Sequence, residues 1–195
     1  MNISYEAGSL WRTLSSLEDN DILQISKMQI KRTRLHPLLI AHLTKRGRGL
    51  CYELNWPPYE SELERMRRLH EKGKQSEESH TCATLAFTYQ ARLRGLKAGV
   101  MPEVEAGHFV PDAVVFEDDE RILVEVEMRR DKRAKWRNMA VHQESVAICA
   151  RTAAHRKTLI GECRDLNIPG KATDLRTLFL TSRHDPPGEM WLSEW

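Results

Sequence analysis

Residues 121–128, RILVEVEM, constrain this chain more than any other stretch of it. They read as a β-strand, and because side chains alternate along a strand, Glu125 and Glu127 fall on one face while Val124, Val126 and Met128 take the other. Acidic groups set into so apolar a strand are costly unless they are solvated, paired or bound to a cation. The strand-like run before it, FVPDAVVFED, carries Asp112 on one of its faces. If the two strands pair, the carboxylates of Asp112, Glu125 and Glu127 converge. Hard oxygen ligands at that spacing suit Mg²⁺ or Mn²⁺, which keep several waters and take few protein carboxylates. A metal held there can activate water and stabilise charge developing on a phosphodiester.

The charge pattern supplies a second module. The net charge of +2 conceals a stretch from Ile22 to Tyr52 with no Asp or Glu, in which Lys27, Lys31, Arg32, Arg34, Lys45, Arg46 and Arg48 are basic. Such a segment can face a polyanion. Glu103 to Asp131, by contrast, is strongly acidic and repels phosphate unless a cation sits in it. Charge runs of either sign also form on ordinary solvated faces. Read together, a basic front and an acidic centre divide the chain into residues 1–74, a DNA-binding module with its connection, and residues 75–195, the module with the carboxylates.

Within the first module, residues 10–17, 22–31 and 38–43 have helical spacing, and RGRGLCYELNW reads as a tight basic hairpin. Short helices followed by a basic hairpin predict a winged helix-turn-helix, which uses one helix for the major groove and the wing for the DNA backbone. In the second module, residues 77–95 predict a helix with an apolar stripe. VMPEVEAG, FVPDAVVFED and RILVEVEM then predict an antiparallel meander. Residues 132–145 and 153–166 are expected as helices, and 145–152 and 175–182 as strands. The C-terminal MWLSEW is expected against a sheet edge or another subunit. The fold class is therefore α/β, a mixed sheet flanked by helices and preceded by the small winged module.

The run PDAVVFEDDERILVEVE resembles the PD-(D/E)xK nuclease superfamily, with Pro111-Asp112 as its PD and Glu125-Val126-Glu127 as its (D/E)xK. By order of elements the resemblance covers roughly residues 76–183. The sequence looks most like replication-relaxation-like proteins of plasmids and mobile elements, which join a winged helix to such a core; its likeness to endonuclease subunits of transposition systems is weaker. The resemblance implies a restriction-endonuclease-like fold and a Mg²⁺- or Mn²⁺-dependent endonuclease of a mobile element, plasmid or phage that hydrolyses double-stranded DNA. Asp112, Glu125 and Glu127 would be catalytic, with Asp112 and Glu125 on the metal. It also implies a homodimer, or a transposase or replication-protein partner. Glu127 stands where the superfamily usually has a lysine, and Lys132 or Lys135 on the next helix offers a displaced positive charge if it is not simply solvated. Gln143 lies on that same helix, and Glu77 or Glu78 offers an upstream acid. The alternative is a non-catalytic DNA-binding factor for replication, mobilisation or regulation, built on an inactive nuclease fold.

The remaining candidates carry less chemistry. His80 and Cys82 lack a second pair at zinc spacing and read as capping or packing residues, and His108 and His142 as surface or half-buried histidines. The tryptophans read mostly as core or interface residues. The four cysteines are too dispersed for a stapled scaffold and are expected as reduced thiols. No apolar run approaches the ~20 residues that cross a bilayer, and the first residues do not resemble a signal peptide, so the expectation is a cytoplasmic protein with no membrane contact.

Overall fold

Within the apolar runs at 22–31 and 38–43, expected as helices, residues 23–28 and 38–43 form strands in the computed structural model, which describes residues 7–30, 33, 35, 37–71, 78–101, 110–118, 120–129, 132–142, 145–182 and 187–195. Strands β1 (Leu23–Met28) and β2 (Leu38–Leu43) pair antiparallel, from Leu23 opposite Leu43 to Met28 opposite Leu38. Runs of six to ten residues are too short for apolar spacing to separate a helix from a strand. Pairing decides the matter, because so short a helix is unstable alone whereas two facing strands satisfy each other's backbone.

Helix α1 (Ala7–Asp19) precedes this pair, and α2 (Lys45–Glu53) occupies the stretch expected as a basic hairpin. Thr44 caps α2 by accepting a hydrogen bond from the Gly47 amide at 3.0 Å. Gly47 does not make a turn; it lets α2 lie against the Ile22 carbonyl just before β1 and against Leu43 of β2. A Cβ at this position would sit 2.1 Å from the carbonyl oxygen of Ile22. The described order is thus α-β-β-α, in place of the three helices and hairpin of a winged helix-turn-helix. Gly47→Ala is expected to destabilise this region by roughly 1–3 kcal/mol, since overpacking outweighs the gain in helix propensity. Gly49→Ala, where nothing among the described residues lies within 4 Å, is expected to stabilise it by roughly 0.5–1 kcal/mol. Urea unfolding followed by circular dichroism checks both signs.

The chain divides into two compact units, Met1–Met28 with Pro37–Ser61, and Gln29–His36 with Glu62–Trp195. The second contains α3 (Glu62–Glu71), α4 (Glu78–Leu93) and a six-stranded sheet in sequential order, β3 to β8. Strands β3 (Lys97–Val100), β4 (Ala113–Glu117) and β5 (Glu120–Glu127) form the expected antiparallel meander. Of the run VMPEVEAG only Val100 is in β3, and residues 102–107 lie outside the described residues. From β5 the chain crosses over through α5 (Arg133–His142) to the parallel β6 (Val146–Ala150), and then through α6 (Ala153–Arg164) to the parallel β7 (Gly170–Asp174).

The strand expected at 175–182 is instead helix α7 (Leu175–Thr181). Asp174 ends β7 and caps α7, its Oδ1 accepting from the Thr177 amide at 2.9 Å. An Asp three residues before a Thr marks this start better than the apolar run that follows it. The C-terminal segment does take a sheet edge: β8 (Ser193–Glu194) pairs antiparallel with β7.

Trp136, Met139, Ile148, Leu159 and Cys163 form the core between the sheet and α5–α6. All five residues of β6 are buried, as a central parallel strand covered on both faces requires. Cys82, Cys149 and Cys163 are free thiols in the interior, and Cys51 is half-buried. Burial pushes the Cys82 and Cys163 thiols up to about 12, so both stay protonated near neutrality. No described helix is long and apolar enough to cross a membrane.

Candidate active site

The antiparallel register puts Ala113 opposite Val124, which brings Asp112, one residue before β4, beside Glu125 in β5. Asp112 is fixed from two sides. Its Oδ2 accepts a hydrogen bond from the Val126 amide at 2.9 Å and faces His80 Nε2 at 3.1 Å. A carboxylate only accepts, so His80 donates through Nε2. Burial alone would raise the Asp112 carboxyl, but the hydrogen bond and charge of His80, with the charge of Lys135, hold it below the usual range. Burial lowers His80, and Asp112 more than compensates, so the imidazole stays protonated to higher pH than usual.

Glu125 has the opposite environment. Its side chain is 2% exposed, its Oε2 is paired with Lys135 Nζ, and its buried Oε1 has no hydrogen-bond partner among the described residues. Burial and then the Asp112 charge push its carboxyl well above the ordinary range, and Lys135 opposes them only in part. Two adjacent carboxyls whose proton affinities are driven apart in this way are a signature of acid–base or metal chemistry.

Glu127 lies on the same face as Glu125. Its Oε1 accepts from the Arg129 amide at 2.8 Å, and its Oε2 stands 3.3 Å from Lys135 Nζ and 3.7 Å from Lys132 Nζ. Lys135 is therefore no solvated helix lysine. Burial lowers its ammonium, but the charges of Glu125, Asp112 and Glu127 outweigh that and raise it above the usual value. Glu162 of α6 sets its helix in position, its Oε2 accepting from the Lys132 amide at 2.9 Å and from Trp136 Nε1 at 3.0 Å. The Lys135 ammonium also lies 5.9 Å from the centre of the Trp136 ring.

Asp112, Glu125 and Glu127 are brought to one place with Lys135. The upstream acid does not join them in the way expected: Glu78 is exposed in the first turn of α4, and His80, two residues on, makes the contact instead. Glu77, His108 and Gln143, and the side chain of His142, lie outside the described residues. Neither His80 nor Glu162 has a motif that marks it; each is found only by packing α4 and α6 on the sheet. Of the basic residues, Lys27, Lys45 and Arg46 are exposed and Arg48 is half-buried, while Lys31, Arg32 and Arg34 lie outside the described residues.

Among the described residues, no three His, Cys, Asp or Glu side chains form a ready-made metal cage. Mg²⁺ does not need one, since it commonly takes one or two carboxylates and completes its shell with water and substrate phosphate. The donor set of Asp112 and Glu125 fits that pattern, and Glu125 Oε1 is a buried oxygen with no hydrogen-bond partner among the described residues. No protein-family model, curated protein or solved structure matches this chain.

Proposed function

We propose that the second unit is a metal-dependent DNA endonuclease with a PD-(D/E)xK-type centre. The observation that carries this reading is Lys135, whose ammonium reaches Glu125 and Glu127 from the helix after β5. It provides beside the carboxylates the positive charge that the motif's third position, here Glu127, lacks. Asp112 and Glu125 would hold Mg²⁺ or Mn²⁺, which when bound polarises the scissile phosphate and acidifies a water. Lys135 orients the attacking water and offsets charge on the phosphate, Glu127 holds Lys135 in place, and His80 fixes Asp112. The meander followed by two parallel crossovers supports a restriction-endonuclease-like core, and the acid-free stretch from Ile22 to Tyr52, most of which belongs to the first unit, would dock the DNA. Partners that follow from this reading are duplex DNA and a second copy of the chain, because cutting both strands takes two centres. A transposase or replication protein is the alternative partner.

The test is incubation of the protein with supercoiled, linear and branched DNA in Mg²⁺, Mn²⁺ or EDTA. Cutting that needs the metal supports the reading, and intact DNA under every condition with binding retained overturns it. One observation favours a second reading, a non-catalytic DNA-binding replication, mobilisation or regulatory factor. Lys135 pairs with both Glu125 and Glu127, and Lys132 stands 3.7 Å from Glu127, so these side chains also make up an ion-pair network of the structural kind.

A further inference from the structure

Helix α2 ends in a full Schellman turn. The Asn55 amide bonds to the Tyr52 carbonyl at 3.0 Å, the Trp56 amide bonds to the Cys51 carbonyl at 2.8 Å, and Asn55 takes the left-handed φ of 57°. In this motif an apolar residue at the Trp56 position usually packs back on the last turn. Here its backbone is fixed but the indole is 72% exposed. Tyr52 is 64% exposed and Tyr59 94%. Pro57 and Pro58 restrict the chain between Trp56 and Tyr59, so those rings are presented with little conformational freedom left to lose.

The exposed Lys45 adds positive charge to the same helix face. Lys45 and Tyr52 are two helical turns apart and share one face of α2, with Gly49 between them. Gly49 weakens the helix, and nothing among the described residues lies within 4 Å of its missing Cβ to require a glycine. A bare backbone at that point admits close approach by a ligand. Lys45 and Arg46 are exposed in the first turn, and from Ile22 the chain carries no acid until Glu53. The charge selects a polyanion and the bare rings select flat, unpaired bases, which a duplex keeps stacked inside. We propose that α2 and the segment after it bind single-stranded DNA, with Tyr52, Trp56 and Tyr59 stacking on bases and Lys45 and Arg46 contacting phosphates.

This inference rests on the reading of the first unit as the DNA-docking module, and it replaces duplex with single strand as what that module takes. The full chain is titrated in EDTA, by fluorescence anisotropy, against oligo(dT) and a duplex of equal length over a range of salt. Oligo(dT) is expected to bind more tightly. The Tyr52→Ala/Trp56→Ala double variant is expected to lose roughly 10-fold or more of that affinity with its salt slope unchanged. Lys45→Ala/Arg46→Ala is expected to flatten the slope by about 0.7 per residue. Both variants change exposed side chains, and melting temperatures check that the fold persists. Duplex bound as well as or better than oligo(dT), or aromatic variants of unchanged affinity, overturns the proposal alone. Aromatic variants that lose self-association and not DNA affinity make the surface a contact between copies, which also overturns it. Failure of the wild type to bind either DNA removes the docking reading itself.

Discussion

Asp112→Asn is expected to reduce Mg²⁺-dependent cleavage by at least roughly 10²–10³-fold, the scale seen when one preorganised charge-stabilising group is removed from a centre, while DNA binding in EDTA is retained. The asparagine is chosen because Asp112 has two tasks. Its Oδ2 accepts from the Val126 amide, and an alanine would leave that buried N–H without a partner, at roughly 1–3 kcal/mol. An asparagine oxygen still accepts there, so loss of activity without loss of fold isolates the charge. The measurement is single-turnover cleavage of plasmid beside anisotropy with the same DNA. Equal cutting by wild type and variant would remove Asp112 from the chemistry, and equal loss of binding and cutting would make it a structural residue.

How far the site can be read from the sequence depends on how local its determinants are. Asp112, Glu125 and Glu127 are legible because a period of two and one antiparallel pairing suffice to bring them together, and the meander forms as expected. Lys135 is legible only as a candidate. Whether a lysine two residues into α5 is solvated or buried depends on how that helix is seated, and Glu162, far along the chain on α6, decides this. His80 is harder still, since its neighbour Cys82 draws attention to zinc while its real partner is on another element. The errors in the first unit have a different origin. Apolar runs at 22–31 and 38–43 satisfy a helical spacing over so few residues that the choice passes to the partner strand. Gly47, expected in a basic hairpin, lies inside a helix instead, at a point where the Ile22 carbonyl just before β1 comes too close for any side chain. Pairing and close approach are properties of two segments at once, and no window along a single segment contains them.

Glu125→Gln is expected to make the metal-free protein more stable at neutral pH, by about 1–3 kcal/mol, and to abolish both cleavage and the stabilisation that Mg²⁺ gives the wild type. The sign follows from the environment of the carboxyl. Burial and the Asp112 charge together outweigh Lys135 and raise its affinity for a proton, so ionising Glu125 in the folded state is unfavourable despite the ion pair. A glutamine has nearly the same shape, carries no charge and offers its amide N–H₂ to the adjacent Asp112 carboxylate. In the wild type without metal, the contribution of Glu125 is fully present below its unfolded pKa of about 4.3 and is lost as pH rises through the raised folded value. Asp112, whose folded value is lowered, acts in the opposite sense: its contribution is present above its unfolded pKa and is lost as pH falls through the lowered folded one. The variant removes only the first of these. Its advantage should therefore be small in acid, widen as pH rises from the unfolded pKa to the raised folded one, and level off above it. Bound Mg²⁺ reverses the order, because the ion favours the ionised carboxylate and releases its proton. At a hundredfold excess over its dissociation constant the ion adds about 2.7 kcal/mol to the wild type, and nothing to a variant that has lost the ligand. Thermal melts across pH, in EDTA and in Mg²⁺, read both effects. A variant less stable than wild type in EDTA at neutral pH would mean that the Lys135 pair outweighs burial, and a Mg²⁺ shift that survives the substitution would place the ion elsewhere.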